Sequence, residues 1–327
     1  MADESSDHFA NLALDIFTYQ FHANSPYQVF SKHLNLSPEA IAHWQEIPAV
    51  PTSAFRIPAH PLHCGEAIKT TFLTSGTTTE LRGSHHFSDT GLYEQAIERS
   101  IDHALPSLKI PTFFLAPSAR EAPHSSLSHM LAHLNSGDDS HFLLQDSKLH
   151  LQPLFQHLAS EQPVSLMGTA LAFRHLMEIH GPIPLPAGSQ ILETGGYKGS
   201  SIILSKPELY EQLSSFFAIP PTRIHNEYGM TELSSQAYAT GPNGLHRFPH
   251  WCRPIIIDPE TNAVLPPGEM GYLIIHDLAN LHSVAKIRTQ DFAIAESAQP
   301  DTSFTLIGRD PSALPRGCSR SIDHALS

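Results

Sequence analysis

The stretch PVSLMGTALAFRHLMEIHGPIPLPAGSQILETGG, residues 163–196, contains the pattern that is most informative about the fold. Its opening PVSLMG is short and apolar, as a buried strand is, TALAFRHLMEIH has helical periodicity, and SQILETG again resembles a strand. Neighbouring parallel strands need a long crossover connection, which is usually a helix. A strand, a helix and a strand in this order therefore predict one unit of a parallel sheet.

The same alternation continues on both sides of this unit. The other segments that predict strands are AIKTTFL, IPTFFLAP and HFLLQ, and those that predict helices are DTGLYEQAIERSIDHAL, SSLSHMLAHL, SKLHLQPLFQHLA and SKPELYEQLSSFF. Strands and helices in alternation are typical of an α/β fold with a largely parallel sheet.

The two ends of the chain have different patterns. Residues up to about 45 predict short helices, one of which would begin at the Ser37-Pro38 pair. The proline-rich IPAVPTSAFRIPAHPL that follows predicts extended chain. From Trp251 onward the helical signal ceases, and turns and antiparallel strands are predicted. We therefore predict a helical and extended N-terminal segment (1–66), an α/β core (67–250) and a small β-rich C-terminal subdomain (251–327).

Composition excludes several classes of protein. The net charge of −13 over 327 residues provides no overall basic surface for nucleic acid. No apolar stretch approaches the roughly 20 residues that a membrane span needs. The three cysteines, Cys64, Cys252 and Cys318, are far apart and form no CxxC pair, which argues against a zinc ribbon and a disulfide framework. We expect a reducing, cytoplasmic location.

Two of the 23 histidines, His129 and His133, lie four residues apart in a segment that predicts a helix. That spacing places both side chains on one helical face. No carboxylate or third ligand accompanies them at a metal-binding spacing, so we interpret both as solvated or core histidines and predict no histidine metal ligand.

Hydroxyl residues and glycines are concentrated in FLTSGTTTELRGSHHFS, residues 72–88. Backbone N–H groups and small hydroxyls in a tight glycine loop form a concave anion site, and phosphate is its usual ligand. A Walker A loop is excluded, because GxxxxGK[ST] is absent and SHHF predicts extended chain instead of a helix. Taken alone, the segment fits a phosphate loop and a polar surface turn equally well.

Further segments follow the loop in the order LETGGYKG, NEYGMTELSSQ, IRTQDF and IGRDPSALPRGCS. Together with the loop they resemble the adenylate-forming superfamily of acyl-CoA synthetases and luciferase-like enzymes. The stretch PETNAVLPPGEMGYLII is similar to the part between two of these motifs. The resemblance extends from about Ile47 to the C-terminus. It implies a large domain whose α/β core binds a nucleotide and an acyl group, with ATP and Mg²⁺ as cofactors.

Some details are most similar to the acyl-protein synthetase (LuxE-type) branch of that superfamily. These details are IPAVPTSAFR, an arginine at position 82 where lysine is usual, SSLSHM, ETGGYKG, DLAN and RGCS. Members of the branch activate a fatty acid with ATP and transfer the acyl group to a protein cysteine, supplying a reductase that makes long-chain aldehyde. The resemblance therefore implies a ligase, with a fatty or other carboxylic acid as substrate and an acyl-accepting protein, such as a reductase, as partner.

The resemblance also assigns roles to residues that contact phosphate or metal. Arg82 would add positive charge at the loop, Thr231 would contact the α-phosphate, and Glu232 would bind Mg²⁺ through oxygen. The β- and γ-phosphates would be held by Thr74, Ser75, Gly76, Thr77 and Thr78.

The remaining assigned residues would surround the nucleoside. Asp291 would accept hydrogen bonds from the ribose hydroxyls, and Arg309 would lie near the same sugar. The two walls of the adenine site would be Tyr228, Gly229 and Met230 on one side and Gly195, Gly196 and Tyr197 on the other. Each residue also has an ordinary structural interpretation: Tyr228 as a core aromatic, Asp291 as a turn residue, and Glu232 and Arg309 as members of surface salt bridges.

Three departures from the superfamily pattern stand out. Thr79 occupies a position of the phosphate loop where glycine is usual, and Gln290 replaces the glycine of a TGD pattern. We also expect the superfamily's mobile C-terminal domain, which carries a catalytic lysine, to be absent or truncated, as it is in the acyl-protein synthetase branch.

Cys318 is the candidate nucleophile for the second half of the reaction. A thiolate attacks an acyl-adenylate readily, and the neighbouring Arg316 and Arg320 would favour that form. The other interpretation of Cys318 is a buried structural cysteine.

Two other functions are compatible with the sequence. An acyl- or aryl-CoA ligase would release AMP in a CoA-dependent reaction. A degenerate nucleotide-binding protein would retain nucleotide binding without turnover, and Thr79 and the expected loss of the mobile domain favour it.

Overall fold

The computed structural model describes residues 4–65, 67–74, 82–105, 110–135, 139–146, 148–195, 205–297 and 302–310. The α-helices in this part of the chain are α1 (Glu4–Ala23), α2 (Ser25–His33), α3 (Gly91–Ala104), α4 (Ser126–Leu134), α5 (Gln152–Leu158), α6 (Ala170–Ile179) and α7 (Lys206–Phe217).

The strands of the N-terminal half and centre are β1 (Val50–Pro51), β2 (Thr70–Leu73), β3 (Ser84–Phe87), β4 (Thr112–Leu115), β5 (Leu144–Gln145), β6 (Lys148–Leu149), β7 (Ser165–Thr169), β8 (Gln190–Thr194) and β9 (Ile224–Tyr228). Those that follow are β10 (Ala237–Thr240), β11 (His246–Arg247), β12 (Cys252–Ile257), β13 (Met270–Asp277), β14 (Lys286–Ile294) and β15 (Ser303–Arg309).

One edge of the large sheet is parallel, as the strand and helix alternation predicts. Strands β4, β7, β8 and β9 lie side by side in that order and all run in the same direction. The helices α6 and α7 form the crossovers between β7, β8 and β9, so residues 163–195 do form the predicted strand–helix–strand unit. The α/β fold class is confirmed.

Helices cover both faces of this parallel edge because its strands are apolar on both sides. One face packs on α5, α6 and α7 through a cluster that includes Leu166, Phe173 and Leu213. The other face packs on α3, α4 and the β2–β3 hairpin through a second cluster that includes Phe72, Ile97 and Met167. The sheet is therefore the middle of three layers.

The sheet continues beyond β9 with antiparallel strands. The order runs from β9 through β10, β11, β15, β14 and β13 to β12. The predicted β-rich C-terminal part is thus antiparallel, and it shares a sheet with the parallel edge through the β11–β15 pair. The domain boundaries at residues 66 and 250 remain predictions.

The N-terminal helices pack against the antiparallel part, in a cluster that joins Phe17 and Tyr27 to Leu273 and Ile287. Two local predictions in this region are wrong. Ser37-Pro38 begins only a turn, closed by the Ala40 N–H donating to the Ser37 carbonyl at 3.0 Å. The proline-rich stretch is extended only in part, because residues 52–56 form a 3-10 helix.

Two segments in the middle of the chain differ in part from their predicted secondary structure. HFLLQ contributes only the two residues of β5, and SKLHLQPLFQHLA begins with β6 before its helix. Among the described residues, no helix is both long and apolar enough to cross a bilayer.

Candidate active site

Two of the predicted site segments lie at the carboxyl ends of the parallel strands, where ligands bind in open α/β sheets. Gly195 follows β8, and the segment 229–232 follows β9. Gly195 has a φ of +76°, a backbone conformation that favours glycine, so the chain can turn sharply at the strand end. Gly196 and Tyr197 lie outside the described residues.

The neck of the hydroxyl loop is closed by hydrogen bonds between its two ends. The Thr74 N–H donates to the Gly83 carbonyl at 2.8 Å, and the Gly83 N–H donates to the Thr74 hydroxyl at 2.7 Å. Arg82 Nε donates to the Thr74 carbonyl at 2.8 Å. The hydroxyl loop therefore connects β2 to β3, and Arg82 is held by its hydrogen bond to Thr74. Ser75, Gly76, Thr77 and Thr78 lie outside the described residues.

His85 connects this hairpin to the YGMTE segment. Its Nδ1 lies 2.7 Å from the carbonyl oxygen of Thr231, which can only accept, so Nδ1 carries the hydrogen. Its Nε2 then accepts from the Ser283 hydroxyl at 3.0 Å. Burial lowers the pKa of His85 to about 3, so the ring is neutral at physiological pH. One buried ring thus joins the β2–β3 hairpin to Thr231, the predicted α-phosphate contact, a role the sequence did not predict.

Tyr228 and Asp291 are brought into direct contact. The Tyr228 hydroxyl donates to Asp291 Oδ2 at 2.8 Å, and both side chains are buried. Tyr228 also packs edge-on against Phe304, so it is a core aromatic as well. The Thr289 hydroxyl accepts from the Asp291 N–H at 3.0 Å. The turn interpretation of Asp291 is wrong, because the residue lies inside β14.

Arg309 lies across from Asp291 in the β14–β15 pair. Its Nη2 donates to Gln290 Oε1 at 3.1 Å. The glutamine that departs from the superfamily pattern therefore has a local use, since it fixes the arginine predicted to lie near the ribose.

Glu232 is only 2% exposed, so it is not a surface salt-bridge residue. Its Oε2 atom is buried and has no hydrogen-bond partner among the described residues. A buried carboxylate oxygen without a partner is costly unless a cation or donor completes it. Glu232 therefore fits a ligand of Mg²⁺, a cation that proteins bind through carboxylate oxygens. No group of three or more potential ligands within the described ranges forms a metal site by itself.

The backbone around Glu232 is held by the DLAN motif, to which sequence reasoning gave no role. Asn280 Nδ2 donates to the Glu232 carbonyl at 2.9 Å. Asp277 accepts four hydrogen bonds, from the N–H groups of Ser234, Ser235 and Ala279 and from the Ser235 hydroxyl, at 2.7–3.1 Å. Gln20 of α1 donates in turn to the Asn280 carbonyl at 2.9 Å.

Glu227 joins the two segments that are predicted to face adenine. Its Oε2 accepts a hydrogen bond from the Thr194 hydroxyl, next to Gly195. Its Oε1 occupies the place that a Cβ at Gly229 would take, so a side chain at position 229 would require Glu227 to move. Burial raises the pKa of Glu227 to about 7, opposed by the Thr194 hydrogen bond and assisted by the charge of Glu193.

The two histidines of α4 have acidic partners that the sequence did not indicate. His129 Nε2 lies 3.0 Å from Glu94, and His133 Nε2 lies 2.9 Å from Glu98, both on α3. Spacing along the sequence does not reveal these carboxylates, because α3 and α4 are neighbours in the fold and not along the chain. The pairs are separate, and within the described residues they build no metal site.

A family model described as acyl-protein synthetase, LuxE, matches residues 133–327, which is more than half of the chain. The chain belongs to the LuxE acyl-protein synthetase family. This membership confirms the predicted branch and an enzyme of the adenylate-forming, acid–thiol ligase type. The match contains the YGMTE, TQD and GR motifs, and the hydroxyl loop lies upstream of it. No curated protein matches this chain.

Solved structures with a similar fold are adenylate-forming ligases and a luciferase-like enzyme. A 2-hydroxyisobutyryl-CoA ligase in complex with 2-HIB-AMP and CoA has a TM-score of 0.67 and 15% identity, over 94% of this chain and 69% of that one. ATP-bound MatB from Rhodopseudomonas palustris has a TM-score of 0.53 and 14% identity, over 74% of this chain and 48% of that one. A luciferase-like enzyme from the mealworm Zophobas morio has a TM-score of 0.51 and 13% identity, over 76% of this chain and 59% of that one.

Sequence identities of 13–15% support a shared fold and no statement about activity or substrate. The similarity spans about half the length of MatB and less than two thirds of the luciferase-like enzyme.

Proposed function

We propose that this LuxE-family chain uses ATP and Mg²⁺ to activate a fatty or related carboxylic acid and then transfers the acyl group to a protein thiol. In the first step a carboxylate oxygen attacks the α-phosphorus of ATP, and the bond to pyrophosphate breaks. In the second step a thiolate attacks the acyl carbonyl carbon, and AMP leaves. The acid is thereby converted into a thioester at the expense of one ATP.

The observation that carries this proposal is the buried Oε2 atom of Glu232, which has no hydrogen-bond partner among the described residues. It is buried beside Thr231, whose carbonyl is tied by His85 to the strand that follows the phosphate loop. Such an arrangement suits a Mg²⁺–phosphate group, because a cation would complete the carboxylate and the loop would supply donors to the phosphates. Mg²⁺ held there would neutralise charge on the phosphates during displacement of pyrophosphate.

The chain's own side chains would mainly position the reactants, which is how enzymes accelerate phosphoryl transfer. Thr231 would contact the α-phosphate and Arg82 the outer phosphates. Asp291 would accept from the ribose hydroxyls, held in place by the Tyr228 hydroxyl and the Thr289 hydroxyl.

A cavity of about 400 Å³ lies beside the start of β4, and its lining combines apolar residues such as Ile101 and Phe114 with polar ones such as Asp102 and Asn135. Because Thr112 is the first residue of β4, this cavity lies toward the amino end of the parallel strands, away from the segments that follow β8 and β9. The choice of a fatty acid therefore rests on the family to which the chain belongs.

Cysteine burial supports Cys318 as the acyl acceptor. Cys64 and Cys252 are free and buried, as expected for a reducing cytoplasm. Burial raises the pKa of Cys64 to about 12 and that of Cys252 well above its usual value, so both stay protonated and unreactive. Cys318 lies outside the described residues, and its role rests on the sequence.

The first half-reaction is tested by ATP–pyrophosphate exchange with a panel of carboxylic acids. We expect exchange that depends on the acid and on Mg²⁺. Nucleotide binding without exchange for any acid would instead select the degenerate binding protein.

The second half-reaction is tested by labelling. Incubation with ATP, Mg²⁺ and radiolabelled fatty acid should leave a hydroxylamine-sensitive thioester that maps to Cys318. Cys318→Ser should remove the label and keep exchange, whereas the control Cys64→Ala should keep the label. Label retained in Cys318→Ser, or AMP release only after addition of CoA, would favour a CoA ligase.

A further inference from the structure

A group of polar side chains lies on one face of the sheet beside the YGMTE segment. Tyr238 on β10 is directly opposite Glu227 on β9, so the two side chains share a face. Gln236 precedes Tyr238 by two residues and points the same way, because side chains alternate along extended chain. We refer to Glu227, Gln236 and Tyr238 as the polar trio.

Two atoms of the trio lack a partner within the described part of the chain. Gln236 Oε1 and the Tyr238 hydroxyl are buried and lack a hydrogen-bond partner among the described residues. Their residues are 5% and 3% exposed. Native proteins leave few such atoms, and each of them calls for a partner such as a ligand or water.

The trio borders the predicted reaction site. Both Glu227 Oε1 and Gln236 Cγ lie within 3.5 Å of the position that a Cβ at Gly229 would take. Tyr238 belongs to the same buried cluster as Tyr93, whose hydroxyl donates to the Ser126 carbonyl at 3.2 Å. The Ser126 hydroxyl lies 3.4 Å from the hydroxyl of Thr231.

Gln236 Oε1 and the Tyr238 hydroxyl together define which chemical group could bind beside them. Gln236 Oε1 can only accept a hydrogen bond, and burial raises the pKa of Tyr238 well above 10, so its hydroxyl remains a donor. A hydroxyl group both donates and accepts, and it can therefore satisfy either atom. An ammonium group only donates, and it would leave the Tyr238 O–H without an acceptor. A plain hydrocarbon chain would satisfy neither.

We propose that the polar trio binds a hydroxyl group on the acid substrate, close to its carboxylate. The preferred substrate is then a hydroxy acid, whose remaining chain would lie along the apolar layer behind Tyr238. This inference rests on the proposed acid activation and specifies its substrate class. Glu227 and Thr194 would fix the position of the group beside Gly229.

The test compares acids of equal chain length in the exchange assay: octanoate, 2-hydroxyoctanoate, 3-hydroxyoctanoate and 2-aminooctanoate. We expect at least one hydroxy acid to exceed octanoate about tenfold in kcat/KM, as one or two buried hydrogen bonds would give. Tyr238→Phe and Gln236→Met should each reduce this preference about three- to tenfold. Tyr210→Phe is the matched control, since its hydroxyl contacts Glu193, and it should leave the preference unchanged.

The result can separate this inference from the proposed function. Exchange with octanoate at or above the rate of both hydroxy acids would overturn the hydroxyl site while keeping acid activation. Preference for the amino acid would overturn it in favour of charge recognition by Glu227. If no acid supports exchange, titration calorimetry of the same acids decides: tighter binding of a hydroxy acid by the wild type than by Tyr238→Phe supports the site, and equal or undetectable binding refutes it.

Discussion

Two buried polar regions lie next to each other in this protein, and they differ in how completely they are hydrogen-bonded. Around Asp277, the carboxylate accepts four hydrogen bonds and Asn280 bonds to the Glu232 and Val284 carbonyls. Around Glu232 and the polar trio, three buried oxygens have no partner in the described part of the chain.

The degree of hydrogen bonding separates the scaffold from the site. A saturated network gains little from a ligand, and it loses much when one member is removed. An unsaturated region carries an energetic cost that a bound ligand can relieve. The Asp277 network therefore belongs to the support of the site, and the open oxygens belong to ligand binding.

The largest effect is expected for Asp277→Ala. The variant leaves three buried N–H groups and a hydroxyl without their acceptor, and such losses typically cost about 3–5 kcal/mol when they involve a buried charged partner. We expect the free energy of unfolding, measured by urea denaturation, to fall by that amount or the chain not to fold.

A control for this prediction is Asp258→Ala. The exposed carboxylate of Asp258 accepts three hydrogen bonds from Glu260 and Thr261 in a surface turn. Its removal should change stability far less, because water replaces the lost acceptor. Equal losses in the two variants would mean that the Asp277 network is no special support.

The second prediction concerns the exchange activity of Glu232→Gln. Glu232→Gln should raise the Mg²⁺ concentration for half-maximal exchange about tenfold and lower the maximal rate about a hundredfold, because a hard anionic oxygen is removed. Its free energy of unfolding should stay unchanged or rise, since no partner of the Oε2 atom is lost. Glu269→Gln, at an exposed position before β13, serves as the control. An unchanged Mg²⁺ titration would contradict the assignment of Glu232.

Local signals in the sequence predicted much of the fold. SKPELYEQLSSFF forms α7 as predicted, and Ser205 caps it because its hydroxyl and the Glu208 carboxylate satisfy each other's backbone N–H groups. The same kind of signal at Ser37-Pro38 failed, since Ile41 and Trp44 must both reach the N-terminal core and the chain turns instead. Tertiary packing overrides local preference where a segment is short.

The site was predictable as far as the motifs reach. Their order placed Tyr228, Glu232 and Asp291 at one site, and the structure brings Tyr228 and Asp291 into contact. The supporting residues were not predictable, because they act across long separations: His85 and Thr231 are 146 residues apart, and Gln20 and Asn280 are 260 apart. Which buried oxygens lack partners is likewise a property of the packed chain alone.

The third prediction concerns pH. Burial raises the pKa of Glu227 from 4.5 to about 7. Between these values the folded chain keeps a proton that the unfolded chain releases, so the free energy of unfolding falls as the pH rises. Glu227→Gln cannot ionise, and we expect it to lose part of this fall, on the order of 2 kcal/mol between pH 4.5 and pH 8.

Urea denaturation of both proteins across that range is the measurement. Some decline should remain in the variant, because burial also raises the pKa of Glu193 to about 7. Parallel curves for the two proteins would show that Glu227 is charged without penalty in the fold, and the trio would then be better suited to a cation.

The smallest effect is expected for Tyr228→Phe, which tests whether a hydrogen bond inside the site acts on the ligand or only on the fold. The variant removes the donor to Asp291 at 2.8 Å and keeps the packing against Phe304. A less firmly held Asp291 should bind ribose less well, so we expect the KM for ATP to rise about three- to tenfold with little change in kcat. Tyr27→Phe is the control, since its buried hydroxyl donates to the Pro48 carbonyl at 3.1 Å in the N-terminal cluster. That variant should lose stability and keep its KM for ATP. If both variants lose only stability, the Tyr228–Asp291 pair is part of the scaffold, and the ribose must be bound elsewhere.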